Sequence, residues 1–508
     1  MNPSDQTAWA TKPVAVPSDV PRRSRWTSDF AWLVLLFAAG AAVRFFHLDR
    51  SSLIFDEGAS VGMARLDWYN FARVLWRREG NMALYYLLLR GWLLFGHSEF
   101  YIRALSAILS VLTTGVLYEL GRRLFDRRVA LIAAALFTFN AYSVRYAQEA
   151  RSYSLFVLLT TVSALFFVRY LQEGGPYNRT GHVLVSGLSV YAHFHAGLLT
   201  IVQWISTRLT GERARLSFRR NWWYIGALVF PAVLFVAVTG AGPIKWVPKP
   251  SFRNVYKYYE ALAGYGGVPL LLAYLASIGA ALAPLGRDLF RRQQAIETWR
   301  CQFVLLWLCF PLVFTVPISF LRPLFLARYL IFCLPALLLL AAAGFSRLRS
   351  RWLLALAVLV FLGLSARGLR TYFDGDFEAE REDWRSVSHY VVENAQPGDV
   401  VFFDNAMGRM PYDYYVSLSP SQKTAPVVIY PGYGDRVDYR ELMKKPGPDF
   451  IETVPPRYRR VWVVLIYNVT PTGAPDSTTQ FTEETFARAY PHRETREFPG
   501  IEVRLYSR

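Results

Sequence analysis

Two clusters of polar residues stand out in this apolar sequence. Asp56 and Glu57 are adjacent carboxylates between Phe55 and Gly58, shortly past the apolar run Phe30 to Val43. One reading of the pair is a helix start with Asp56 as N-cap. The other is a general base: a carboxylate partly withdrawn from water that takes the proton of a hydroxyl as its oxygen attacks a carbon. The second cluster is Arg145-Tyr146-Ala147-Gln148-Glu149-Ala150-Arg151-Ser152-Tyr153. Two arginines this close to hydrocarbon are costly unless each has a partner. Either Arg145 and Arg151 snorkel to lipid headgroups, or their guanidinium forks hold a phosphate, with Gln148, Glu149 and Tyr153 beside it. His193 and His195 offer ligands for an acceptor, a donor or a metal, or simply hydrogen-bond within a helical bundle. Lys245-Trp246 pairs a phosphate-binding cation with a ring that stacks on sugars, although Trp is also ordinary at a membrane interface.

These residues need a scaffold, and the composition says which kind. Of 508 residues 53% are apolar and 19% charged, and the apolar ones fall into runs such as Trp222 to Val238, Phe303 to Phe320 and Trp352 to Leu364. Runs of roughly 17–25 apolar residues are what a helix needs to cross a hydrocarbon layer. The net charge of +18 is not a nucleic-acid footprint. From Thr371 onward there are 16 basic against 21 acidic residues, and before it 40 against 17. The excess sits in short loops, among them Arg122 to Arg128, Arg213 to Arg220, Arg287 to Arg292 and Arg347 to Arg351, which the positive-inside rule places in the cytoplasm.

The expected fold is a polytopic α-helical membrane protein with about eleven transmembrane helices and a small C-terminal α/β domain outside the cytoplasm. The spans run over 29–47, 101–120, 129–144, 153–171, 182–193, 195–209, 222–240, 267–286, 302–320, 329–345 and 352–369. Residues 1–28 read as a disordered cytoplasmic arm, 29–370 as the transmembrane domain with its first external loop at 48–100, and 371–508 as the external domain. In that loop, 59–79 and 82–95 read as helices on the membrane surface. In the tail, 383–394 reads as a helix, and 400–403 and 461–467 as strands. The three cysteines, Cys301, Cys309 and Cys333, lie in or at the edge of spans, so no disulfide is expected to hold the tail.

Ile54-Phe55-Asp56-Glu57-Gly58, the Arg145–Tyr153 segment, Tyr191-Ala192-His193-Phe194-His195 and Ala327-Arg328-Tyr329 resemble, in order and topological position, the C-type membrane glycosyltransferases. The branch they are most similar to is glycosyltransferase family 39, which includes protein O-mannosyltransferases and the lipid A aminoarabinose transferase. The resemblance implies a bacterial inner-membrane enzyme that moves a hexosyl or pentosyl group from a polyprenyl-phosphate carrier to a hydroxyl of a lipid, glycan or protein on the outer face. It implies Asp56 as general base, with Glu57 orienting it or the sugar. Arg145, Arg151 and Arg328 would stabilise the departing phosphate, and Tyr85 would contact substrate. No cofactor is required for such a leaving group, and the sequence leaves a divalent metal open. Many relatives carry His-Pro-Pro before a Tyr pair in the first loop; here the stretch is Asn81-Met82-Ala83-Leu84-Tyr85-Tyr86.

A transporter or flippase of lipid-linked sugars is the rival reading. Such proteins tend to repeat their hydropathy in two halves and to hold polar groups at the midplane. No such repeat is visible here, and the candidate polar groups gather toward one face. The topology is open to a direct check: a reporter fused after Arg508 should be active only outside the cytoplasm, and one inserted among Arg213 to Arg220 only inside.

Overall fold

The computed structural model describes residues 26–508 apart from 78, 210–211, 240–246, 248, 291–295, 376–381, 433–443 and 469–475. Almost all of the expected N-terminal arm, and the pair Lys245-Trp246, therefore lie outside the described residues.

Helix α1 (Trp26–Phe45) leads into the first loop, which folds as α2 (Phe55–Arg65), α3 (Trp68–Arg77) and α4 (Ala83–Trp92). The single helix expected over 59–79 is broken, because Asp67 caps a new start by accepting from the amides of Tyr69 and Asn70, both at 3.0 Å. The bundle continues with α5 (Glu99–Leu124), α6 (Arg127–Thr138), α7 (Ala141–Ala147), α8 (Tyr153–Glu173), α9 (Pro176–Ala192) and α10 (Ala196–Thr207). It closes with α11 (Glu212–Thr239), α12 (Phe252–Leu262), α13 (Gly267–Phe290), α14 (Ile296–Ile318), α15 (Leu334–Ser346) and α16 (Arg351–Phe373).

Six stretches are long and apolar enough to cross a membrane: α5, α8, α16, most of α11 and of α14, and residues 327–346. The bent pairs α6–α7 (58°) and α12–α13 (77°) raise the number to eight among the described residues. The chain is thus a multi-pass helical membrane protein. The expected eleven adds α1, counted only over Phe30–Phe45, and the shorter α9 and α10.

The α6–α7 bend has a visible cause. The last carbonyls of α6 lose their helical partners where the ladder stops, and no water is available in the bilayer to replace them. Arg44, fully buried in α1, fills the gap: its guanidinium donates to Phe137 O (3.2 Å) and Thr138 O (3.0 Å), and to the hydroxyls of Ser110 (2.8 Å) and Ser143 (3.0 Å).

The basic loops 122–128 and 347–351 meet at one end of the bundle, where Arg123 pairs with Glu173 and Glu119, Arg169 with Glu119, and Arg128 donates to Leu348 O. At the other end the first loop meets the tail. The tail comprises α17 (Trp384–Asn394), β1 (Val400–Phe403), α18 (Arg409–Leu418), β2 (Val427–Tyr430), α19 (Pro448–Arg457), β3 (Arg460–Leu465), α20 (Ser477–Ala489), β4 (His492–Phe498) and β5 (Ile501–Ser507). Its sheet has the order β2-β1-β3-β5-β4, parallel across β2, β1 and β3 and antiparallel beyond. Strand alternation divides the sheet's two faces. Val400, Phe402, Val461 and Val463 form a core of the tail's own, whereas Val401, Phe403, Trp462 and Val464 join the core that runs through α17 and α18 into the bundle.

The contact between tail and loop is close. Tyr415 O–H lies 2.7 Å from the Leu53 amide nitrogen, which donates to it, and Arg385 pairs with Glu99 and donates to Asp49 O at 2.7 Å. Gly58 of α2 leaves no room for a side chain, since a Cβ there would sit 2.9 Å from Pro411 N and 3.0 Å from its Cα. Gly58→Ala should therefore force α2 and α18 apart. We expect a loss of about 1–3 kcal/mol of stability, read as a lower unfolding midpoint in detergent and faster proteolytic release of the tail. Gly62→Ala, which would meet only the flexible Met410 side chain at 3.4 Å, should be nearly neutral.

Candidate active site

The site is built from the first turn of α2. Helix α2 begins at Phe55 with Ile54 as its N-cap residue, so Asp56 lies inside the first turn and is not the cap. Glu57, one residue on, points into protein: it is 1% exposed. Its carboxylate accepts from Arg103 Nε (2.8 Å) and Nη2 (2.7 Å), from the Ala150 amide (2.9 Å) and from the Ile54 amide (3.2 Å). These four contacts hold the loop, and Glu57, unlike Asp56, is closed off from solvent.

Asp56 is the exposed member of the pair, with about a quarter of its side chain (27%) open. Two arginines from distant parts of the chain flank it: Arg151 Nη2 is 3.8 Å from Oδ1, and Arg328 Nη1 is 3.5 Å from Oδ2. Arg151 comes from the turn before α8, and its Nη1 also donates to Asp56 O at 3.2 Å. Arg328 comes from a 3-10 stretch, Ala327–Cys333, that leads into α15. Burial pushes the Asp56 carboxyl pKa up, but Arg151 and then Arg328 pull it down further, and it ends below the ordinary aspartate value.

Three polar atoms around this pair are buried and have no hydrogen-bond partner among the described residues: Arg151 Nε, Tyr153 O–H and His193 Nε2. The His193 ring stacks on Phe156 (centroids 4.8 Å apart, planes 16°) and lies 4.9 Å from the ring of Tyr329. His195 lies 5.3 Å from the same tyrosine. The two histidines occupy the break between α9 and α10, where the His195 amide donates to His193 Nδ1 at 3.2 Å. Buried polar groups without partners are uncommon, and their convergence beside an ion-paired carboxylate suits a polar ligand.

The remaining expected residues divide. Arg145 pairs with Glu149 (3.6 Å), donates to Tyr265 O–H (3.4 Å) and lies over the ring of Tyr146, which packs on Tyr153 at 4.7 Å. Arg145 is thus linked to Tyr153 through Tyr146. Gln148 does not face the site: its amide donates to Arg44 O (3.0 Å) and Phe46 O (2.8 Å), and its carbonyl accepts from Tyr372 O–H (2.8 Å), which ties α1 to α16. Tyr85 is fully buried against Ser106 (2.9 Å), whose hydroxyl donates to Arg151 O (3.2 Å), so it supports Arg151 from below. No group of three or more His, Cys, Asp or Glu that would suit a metal ion occurs among the described residues.

One site residue escaped the sequence reading. Glu79, just after α3, lies in the field of both Arg151 and Asp56. Its neighbour Asn81 accepts from the Phe194 amide at 2.9 Å, which docks this segment beside the histidines. No motif marks Glu79, and a loop acid has no periodicity to betray it.

Comparison with known proteins bears on the fold. Residues 82–239 match the family model described as dolichyl-phosphate-mannose-protein mannosyltransferase, a segment that holds Arg145, Arg151, His193 and His195. The fold is similar to that of ArnT from Cupriavidus metallidurans bound to undecaprenyl phosphate, with TM-score 0.58, 14% identity, and 94% of this chain and 98% of that one covered. It is also similar to the oligosaccharyltransferase AglB from Archaeoglobus fulgidus in complex with an inhibitory peptide and a dolichol-phosphate, with TM-score 0.51, 12% identity, and 92% and 80% covered. No curated protein matches the sequence.

Glu79 gives this site a pH signature. Burial raises its pKa to about 7, with Arg151 opposing the shift and Asp56 adding to it. The folded protein therefore keeps a proton that the unfolded chain has already released, so Glu79 costs stability progressively as pH rises from the ordinary glutamate range to about 7. Glu79→Gln should flatten that trend: between about pH 5 and about pH 8 its unfolding midpoint should fall less than the wild-type midpoint. Parallel curves would mean that Glu79 titrates as an ordinary surface acid.

Proposed function

Starting from the C-type membrane glycosyltransferase fold, we propose that this chain transfers a sugar from a polyprenyl-phosphate carrier to a hydroxyl of a lipid, glycan or protein acceptor. The observation that carries the proposal is Asp56 held between Arg151 and Arg328 in a partly open site ringed by unpartnered polar atoms. ArnT, of the same fold, is bound to undecaprenyl phosphate, and AglB is in complex with a dolichol-phosphate.

The chemistry follows from the charges. The acceptor O–H gives its proton to Asp56 as its oxygen forms a bond to the anomeric carbon on the face opposite the phosphate. The bond from that carbon to the phosphate oxygen breaks, and the electron pair leaves with the lipid phosphate. Negative charge moves from the acceptor side to the phosphate side, where Arg151 and Arg328 donate to it and Arg145 adds its charge to theirs. Asp56 is ionised before the reaction begins, because the same arginines lower its pKa. Glu57 acts by holding the loop, and Tyr153, His193 and His195 are the groups closest to a bound sugar. A monophosphate leaving group neutralised by two arginines requires no metal.

The reaction face is the one that carries the first loop and the tail, which we assign to the outside of a bacterial inner membrane. Contact between loop and tail requires an even number of crossings between them, in keeping with eleven spans in all and a cytoplasmic N-terminus. The carrier, the acceptor and the surrounding lipids are the expected partners.

Asp56→Asn keeps size and most hydrogen bonds but cannot take the proton, and should lose at least ~10²-fold in transfer with donor binding kept. Arg151→Gln should cost about 10²–10³ in rate at saturating donor. Glu57→Gln should instead destabilise the fold, because Arg103 is left without its counter-charge. Normal transfer by Asp56→Asn would move the base elsewhere.

A further inference from the structure

One buried carboxylate close to the site plays no part in the reaction as drawn. Glu382 precedes α17 in the tail and is 5% exposed. Its oxygens accept from three neutral donors: the Phe55 amide at 2.9 Å, Tyr467 O–H at 2.6 Å and the indole N–H of Trp384.

The first of these contacts crosses 327 residues of sequence and lands on the opening residue of α2. A helix start leaves its first amides without intrahelical partners, and a Ser, Thr, Asp or Asn at the N-cap ordinarily supplies an oxygen to one of them. Here the N-cap is Ile54, whose side chain has no oxygen and makes no capping bond. Glu57 takes the Ile54 amide but not that of Phe55. Glu382 takes it instead, and as an anion it also meets the positive end of the helix dipole. Tyr467 and Trp384 fix the carboxylate, so the cap is rigid. The turn being capped carries Asp56.

We propose that Glu382 is a positioning residue for Asp56: the tail supplies the cap that α2 lacks and thereby sets where the base stands. The proposal rests on Asp56 being the base. It predicts a loss in the chemical step rather than in donor capture, since Arg151 and Arg328 belong to other elements.

The test measures kcat and donor KM for the full-length protein in detergent or nanodiscs, with a synthetic polyprenyl-phosphate sugar. Glu382→Ala should lower kcat by about 10²-fold, the scale of an ångström-level misplacement, while KM for the donor changes by less than about two-fold. Hydrogen exchange of the peptide containing Phe55 should accelerate. Glu382→Gln keeps an acceptor oxygen at the same reach and should restore most of both readouts. Glu382→Asp keeps the charge in the same setting but is one methylene too short, so it decides the question even if the alanine variant does not fold; it should lose kcat with KM kept. In an Asp56→Asn background, Glu382→Ala should lower the residual rate no further, because it acts through Asp56. Wild-type kcat in Glu382→Asp, or a further drop in that background, overturns the proposal. Normal transfer by Asp56→Asn alone would instead overturn the base assignment on which it rests.

Discussion

The site depends on the buried ion pair between Glu57 and Arg103. Taking two charges out of water carries a penalty that their attraction offsets only when the remaining donors and acceptors are also satisfied. Here they are. The five N–H groups of Arg103 reach Glu57 Oε1 and Oε2 and the carbonyls of Leu48, Ser51 and Ser52. Glu57 in turn takes the amide of Ala150, next to Arg151. A single knot thus joins the turn after α1, the start of α2, the N-terminal part of α5 and the turn before α8. Asp56 and Arg151 meet because their neighbours are tied together.

The same reasoning sets the charge of the site. Asp56 neutralises one arginine, and Glu79, with its raised pKa, adds only part of a second negative charge near neutral pH. The pocket retains a positive surplus that an anion can satisfy. Under the proposed reaction, the lipid phosphate is the anion that takes up this surplus.

The scaffold was largely legible in the sequence, because long apolar runs and strand alternation are local properties. The helices around His193–His195 separate where the polar residues interrupt the run, and β1 and β3 fall where apolar residues cluster between turns, whereas β4, with Phe498 its one large apolar residue, carries no such mark. The arginine cluster and the acidic pair were legible as chemistry for a related reason: charged residues near hydrocarbon stand out. What was not legible was which member of a pair does what. Asp56 and Glu57 are adjacent, yet successive side chains on a helix point about 100° apart, and only Arg103 decides which one is buried. Gln148 sits between arginines in the sequence but serves the α1–α16 contact. Glu79 and Glu382 find their roles through partners far along the chain. Arg44 and Arg103 were the overlooked clue, since an arginine inside an apolar stretch must have partners waiting for it.

The clamp between tail and first loop also orders events in time. The ribosome makes Phe55 early and Glu382 only after α16, so during biogenesis the loop exists long before its cap does. The nascent chain inserts its helices with the Asp56 turn uncapped, and the tail locks that turn in place once it folds. Assembly of the site thereby waits on the tail, and a product truncated before Glu382 would carry the motif without the support that aligns it.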